Sequence, residues 1–206
     1  NKTPMNNNEV SFEDFLEVFP TIELPYKIDF VDVSKNFKEA QRRGTIRDYY
    51  RKKKGMARSK MTSDHKIMLE YIDELRLATF SRMGPIPHNA VAKIQLDNDL
   101  IGVLYVMETI YPIYYLTTFT KEGKEQATVK VGRFNRKQSL TCEIDSDFNF
   151  TVKAYNNIWL KDLKEGLEDN VVIGFDLVKT TVYQVDEKGQ IESTSENLST
   201  DRASID

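Results

Sequence analysis

The chain has 206 residues, which suits one domain or one domain with an appended lobe. Hydrophobic residues make up 40% and aromatic residues 11%, which excludes wholesale disorder, and the single cysteine, Cys142, excludes an intramolecular disulfide and a cysteine-based metal cage. The net charge of −3 conceals an uneven distribution, because the stretch from Arg42 to Lys60 carries nine basic residues against one acid, Asp48.

The start, Asn1 to Asn8, is polar, Asn-rich and interrupted by Pro4, so residues 1–10 read as a tether. Phe12, Phe15, Leu16 and Phe19 recur at helical spacing behind Ser11, a good N-cap, and Pro20 stops that helix. Thr21 to Phe30 reads as extended, with Pro25 confining it to a sheet edge. From Asn36 the pattern turns helical, and Gly44 and Gly55 divide it. The clearest helix is expected from Thr62 to Phe80, where Met68, Tyr71, Ile72, Leu75 and Thr79 follow i, i+3, i+4 spacing. Residues 11–82 are therefore expected to form an N-terminal extended segment and a helical lobe with a basic insert.

Gly84-Pro85-Ile86-Pro87 marks a boundary, after which the period changes to two. Ala90 to Leu96, Ile113 to Phe119, Ala127 to Val131, Leu140 to Ile144, Phe148 to Ala154 and Leu177 to Val185 alternate as strands. Leu100 to Met107 is apolar throughout, so it should be a central strand. It is also the longest apolar run, and it is far too short for a membrane-spanning helix. Polar turns at 97–99, 121–123, 145–147 and 186–189 separate these runs. Asn156 to Asn170 breaks the rhythm and is expected to be a helical or looped insertion, and residues 193–206 read as a flexible tail. The expected fold is mainly β with an N-terminal helical lobe (α+β). Its body, residues 83–192, is an antiparallel β-meander forming a curved sheet or a partial propeller- or barrel-like one.

Chemistry-bearing motifs are sparse. Asp145-Ser146-Asp147-Phe148-Asn149 spaces oxygen ligands as calcium loops do, but Phe150 and Asn156 stand where such a loop needs Gly and Glu, so a hairpin turn is the better reading. His65 and His88 belong to no nucleophile motif, and Cys142 alternates with Leu140 and Ile144 like a buried hydrophobe. No motif implies a cofactor. Tyr105, Tyr111, Tyr114 and Tyr115 cluster within one hairpin. They are either core and cross-strand pairs or a platform for an extended glycan or peptide, since tyrosine joins a flat apolar ring to a hydroxyl. Arg42, Arg43, Arg47, Arg51, Lys52, Lys53 and Lys54 are the candidate anion-binding residues; the alternative is a solvated or self-docked face.

The Phe19-Pro20 and Ile22-to-Phe30 segment, Pro85-Ile86-Pro87 leading into Ala90 to Leu96, and the turn and strand from Asp97 to Met107 together resemble a known pattern. Ile113 to Gly123 and Thr181 to Ile191 complete it. The pattern resembles a broad family of uncharacterised exported proteins, often lipoproteins, of Bacteroidetes-type bacteria. The resemblance covers roughly 10–35 and 83–192, and the insert at about 36–80 departs from it. It implies an address at the cell envelope, in the periplasm or at the outer-membrane surface, and it transfers no catalytic residue. A lipid-bearing cysteine is expected just before Asn1, and the membrane is touched through that anchor alone.

The favoured expectation is an exported, lipid-anchored, non-enzymatic binding or structural protein, with a glycan, a peptide or an envelope protein as partner. One alternative is an anionic-polymer or nucleic-acid binder working through residues 42–60, with nucleic acid the weaker choice. The other is a hydrolase whose acidic residues the sequence does not single out.

Overall fold

Period-two alternation from His88 onward lets each run pair with the next through a short turn, and a computed structural model shows that arrangement. It describes residues 10–42, 51, 62–79, 87–96, 99–109, 111–198 and 202–204. The strands are β1 (Tyr26–Ile28), β2 (His88–Gln95), β3 (Ile101–Met107), β4 (Ile113–Phe119), β5 (Glu125–Phe134) and β6 (Gln138–Ile144). They continue with β7 (Phe150–Trp159), β8 (Val172–Val185), β9 (Ile191–Leu198) and β10 (Arg202–Ser204). β2 through β8 follow one another antiparallel in chain order, so the protein is α+β with an open β-meander.

The meander does not stay flat. β5 meets β6 only at Arg133↔Leu140 and Phe134↔Ser139, and β1 takes the vacated edge of β6 from Ile144 to Cys142. The β8–β9 turn reaches back to the other half of the sheet, where the Thr118 hydroxyl donates to Gly189 O and the Gln190 amide donates to Gln126 O. The sheet thus curls around one apolar interior. Ala92, Ile94, Leu104, Leu116 and Val131 face Cys142, Ile144, Phe150 and Val152 across it.

β3 separates that interior from a second core, as its unbroken apolar sequence requires. Leu104 points into the curl, whereas Val103, Tyr105 and Met107 point outward to the helical lobe. There, α1 (Phe12–Glu17) presents Phe15 and the residues after it add Phe19, while α3 (Ser63–Tyr71), the Ile72 junction and α4 (Asp73–Thr79) add Met68, Ile72 and Leu75. Ser11 caps α1 as expected: its Oγ accepts from Asp14 N, and the Asp14 carboxylate accepts from Ser11 N, both at 3.1 Å. Gly123 lies under this helix with φ of +83°, and a Cβ there would come within 2.7 Å of the Phe12 ring.

Four expectations need correction. The helix expected from Asn36 is α2, Phe30–Arg42; it starts earlier because the Asp29 carboxylate accepts from Val31 N and Asp32 N. The helix expected from 62 to 80 breaks at Ile72 (φ −104°, ψ 104°). Ile72 is wholly buried there, and Glu125 accepts the Asp73 N–H that opens α4. Asn156 to Trp159 continues β7, and only Leu163–Glu165 makes a 3-10 turn. The stretch 193–198, expected as flexible tail, belongs to β9, and residues 202–204 form β10. Both pair with β8, β9 along Lys179 to Val185 and β10 along Gly174 to Asp176. At the other border, Lys93 N of β2 donates to Pro20 O at 2.8 Å, and Thr21 bridges Lys93.

Alternating connections place the turns at 121–124, 145–149 and 186–190 at one end of the sheet, where β2 also ends and β3 begins. The end of β3, the start of β4 and the loops at 135–137 and 160–171 lie at the other. Helix α2 closes this second end. Its Asn36 amide donates to Thr109 O, and its Gln41 amide donates to both Leu167 O and Asn170 O.

Candidate functional site

Closure by α2 leaves an apolar groove. One face of the helix, carrying Phe30, Val31, Ser34, Phe37, Lys38 and Gln41, forms one wall; Phe134 of β5 with Val171, Val172 and Phe175 forms the other. The cavity measures about 390 Å³. Phe30 lies flat on Phe175, with ring centroids 3.6 Å apart and planes 7° from parallel. The polar groups inside are mostly engaged: the Ser34 hydroxyl donates to Phe30 O, and Asp29 is committed to the helix start. Lys38, an exposed residue of the lining, has no ion pair among the described residues. Val31 and Val171 remain 65% and 47% exposed at the rim, so water covers an apolar mouth.

The four tyrosines do not share one face. Tyr105 and Tyr115 are register partners on β3 and β4, stacked 5.5 Å apart in the outer core. The Tyr105 hydroxyl accepts from Thr117 Oγ1, and the Tyr115 hydroxyl donates to Glu74 at 3.3 Å. Tyr114 turns the opposite way, half-buried against the inner core, and donates to Asp32 O. Tyr111 sits in the β3–β4 loop with its ring parallel to Phe37. Of the basic candidates, Arg42 is exposed in the last turn of α2 and Arg51 is exposed; Arg43, Arg47, Lys52, Lys53 and Lys54 lie outside the described residues.

Burial raises the pKa of Tyr105 and Tyr114, and it pushes Tyr115 up to about 12, with the Glu74 carboxylate adding to the effect. The same cause pushes the Cys142 thiol up to about 12, in keeping with a thiol in the inner core. A raised folded-state pKa favours the neutral form, so the linked stability is complete below the ordinary phenol value near 10 and is lost as pH rises through the folded values. Absorbance of phenolate is therefore expected to be smaller at about pH 11 in the folded protein than in denaturant, with stability falling above about pH 10. Complete tyrosine ionisation at that pH with the fold intact would contradict this burial.

Asp145 behaves as a turn residue. Its carboxylate accepts from Asp147 N, Asn149 N and the Asn149 side chain, and these bonds hold its pKa below the ordinary carboxylate range. Among the described residues no group of three His, Cys, Asp or Glu side chains is placed to hold a metal ion. The two histidines meet, His65 of α3 against buried His88 of β2, with ring centroids 4.5 Å apart. Sequence spacing gave no sign of that pairing.

Several groups that shape the second end escape sequence reading. Phe30 and Phe175 are separated by most of the chain, and Trp159 falls in the stretch expected as an insertion. Trp159 instead packs edge-on against Phe37, 5.6 Å away, and its indole N–H donates to Arg136 O. Set against known proteins, the chain matches no family model, no curated protein and no solved structure.

Proposed function

We propose that the protein is an exported, lipid-tethered binding module of the cell envelope, and that it takes a small ligand bearing an apolar ring or chain in the groove beneath α2. The observation that carries the binding assignment is the groove itself. Its volume of about 390 Å³ falls within the range of ligand clefts, and phenylalanine and valine line it with few polar groups. The phenylalanine and valine lining suits an apolar ring or chain, and Lys38, which has no ion pair among the described residues, suits a polar end carrying negative charge. The address rests on the polar start and on the resemblance to exported lipoproteins; the encoded residues upstream of Asn1 test it, and a start codon with no apolar segment would remove it.

The groove is tested by fluorescence titration with N-phenyl-1-naphthylamine, an apolar two-ring probe. Saturable binding is expected in the wild type. Val31→Asp and Val171→Asp place a charge at the apolar mouth and should each weaken it about tenfold. Both positions are well exposed, so thermal unfolding should change little. Binding that does not saturate, or that both variants retain, would refute the groove as the site.

A further inference from the structure

The same end of the sheet holds a second concavity with different chemistry. It measures about 490 Å³ and is lined by Tyr111, Arg133, Asn135, Arg136, Lys137, Gln138 and Asn156. Three cations line it, and none of its described lining residues is a carboxylate. None of the three takes part in an ion pair among the described residues. Like charges held close together set up a local positive potential, strongest where a cleft focuses it.

The cleft is also rigidly built. The β5–β6 turn, Asn135-Arg136-Lys137, is closed by the Asn135 carboxamide oxygen, which accepts from Lys137 N at 2.8 Å and Gln138 N at 2.7 Å. All three of its carbonyls are then tied to β7. Asn157 donates its side-chain amide to Asn135 O and its backbone N–H to Lys137 O, and the Trp159 indole donates to Arg136 O. Asn157 is itself held by the buried Ser139 hydroxyl, 2.7 Å from its side-chain oxygen. Arg136 Nε donates to the Tyr111 hydroxyl at 3.3 Å, which orients the guanidinium and leaves its terminal nitrogens for a ligand. Placement of this kind lowers the ordering cost of binding.

We propose that this cleft binds a uronate-bearing oligosaccharide. Guanidinium forks match the two oxygens of a carboxylate. Carboxamides such as Gln138 and Asn156 both donate and accept, as sugar hydroxyls do. Nucleic acid fits less well, because single strands need exposed aromatic faces to stack on, and the one ring here, Tyr111, is already laid against Phe37. The site is separate from the apolar groove, and either can fail without the other.

The test is calorimetric titration of the full chain with trigalacturonate, its neutral methyl ester and inorganic sulfate. Trigalacturonate should bind saturably at roughly millimolar affinity or tighter and weaken as salt rises. Arg133→Gln and Arg136→Gln should each cost about tenfold, and the methyl ester should lose at least as much. Because Arg136 also anchors Tyr111, Lys137→Gln provides a variant with no described side-chain partner to lose, and it too should weaken binding. The groove variants Val31→Asp and Val171→Asp should bind trigalacturonate as the wild type does. Absence of saturable binding, equal binding of acid and ester, or wild-type affinity in all three charge variants would overturn the proposal. Sulfate competing as well as the trisaccharide would overturn its saccharide part and leave a bare oxyanion site.

Discussion

Phe37→Ala is expected to lower unfolding stability by about 3–5 kcal/mol, the range for truncating a large buried ring. Phe37 is 2% exposed, and it is the point where α2 is fastened to the open end of the sheet. Its ring lies 5.2 Å from Phe134, 5.6 Å from Trp159 and 6.2 Å from Tyr111. Removing it opens a void among three rings that are themselves held by neighbouring turns, so little relaxation can fill it. Denaturant titration should show a lower midpoint with an unchanged slope. Binding of N-phenyl-1-naphthylamine should fall as well, because the same ring lines the groove. A stability loss below about 1 kcal/mol would mean that α2 is held by its polar anchors, Asn36 and Gln41, rather than by this cluster.

Phe15→Ala should cost a similar amount, about 3–5 kcal/mol, but in the other core. Phe15 is wholly buried and touches four rings: Phe12 at 5.5 Å, Phe19 at 5.1 Å, Tyr71 at 4.8 Å and Phe119 at 5.4 Å. Helix α1 has six residues, too few to persist without that anchorage. Hydrogen exchange should therefore accelerate first in residues 12–19 and 63–75, while Trp159 emission, which reports the inner core, holds its folded value at low denaturant. The two substitutions sit in separate clusters, so the double variant should lose the sum of the single effects to within about 0.5 kcal/mol. A simultaneous loss of both signals in Phe15→Ala would show the two cores to be one cooperative unit.

Much of the meander can be read from the sequence because each strand carries its own alternation and each turn its own chemistry. Asp145 and Asp186 illustrate this: both accept from backbone N–H groups two and four residues ahead, a strictly local event. The apolar run from Leu100 to Met107 likewise foretold a strand with cores on both faces. What escaped depends on partners distant in sequence. β9 is polar and almost wholly exposed, so only the hydrogen bonds offered by β8 make it a strand. The end of β7 reads as irregular because Asn157 and Trp159 serve the 135–137 turn rather than an apolar face. Ile72 fits a helical stripe, yet Glu125, more than fifty residues away, stabilises the break beside it.

The candidate sites were still less legible. Tyr111 stands out in the sequence as one of four clustered tyrosines, but Arg133, Arg136 and Lys137 do not, because surface cations on a hairpin carry no local mark of a shared cleft. The groove joins Phe30–Gln41 to Val171–Phe175, a juxtaposition that no spacing rule reaches.

The division of β8 between two partners bears on how molecules of this protein meet one another. A long strand with an uncovered border would offer its backbone to any neighbouring chain and invite edge-to-edge aggregation. Here β10 and β9 cover successive parts of that border. β9, left outermost along its part, carries an extra residue, Thr194, opposite the Val182–Tyr183 step of β8, and it bears Glu192 and Glu196. At the opposite margin the Pro20–Thr21 segment occupies Lys93 of β2. Each margin of the open sheet thus carries an obstacle to edge-to-edge pairing, a bulge with glutamates on β9 and a chain crossing at Lys93 on β2, where a closed barrel would have no edge to protect.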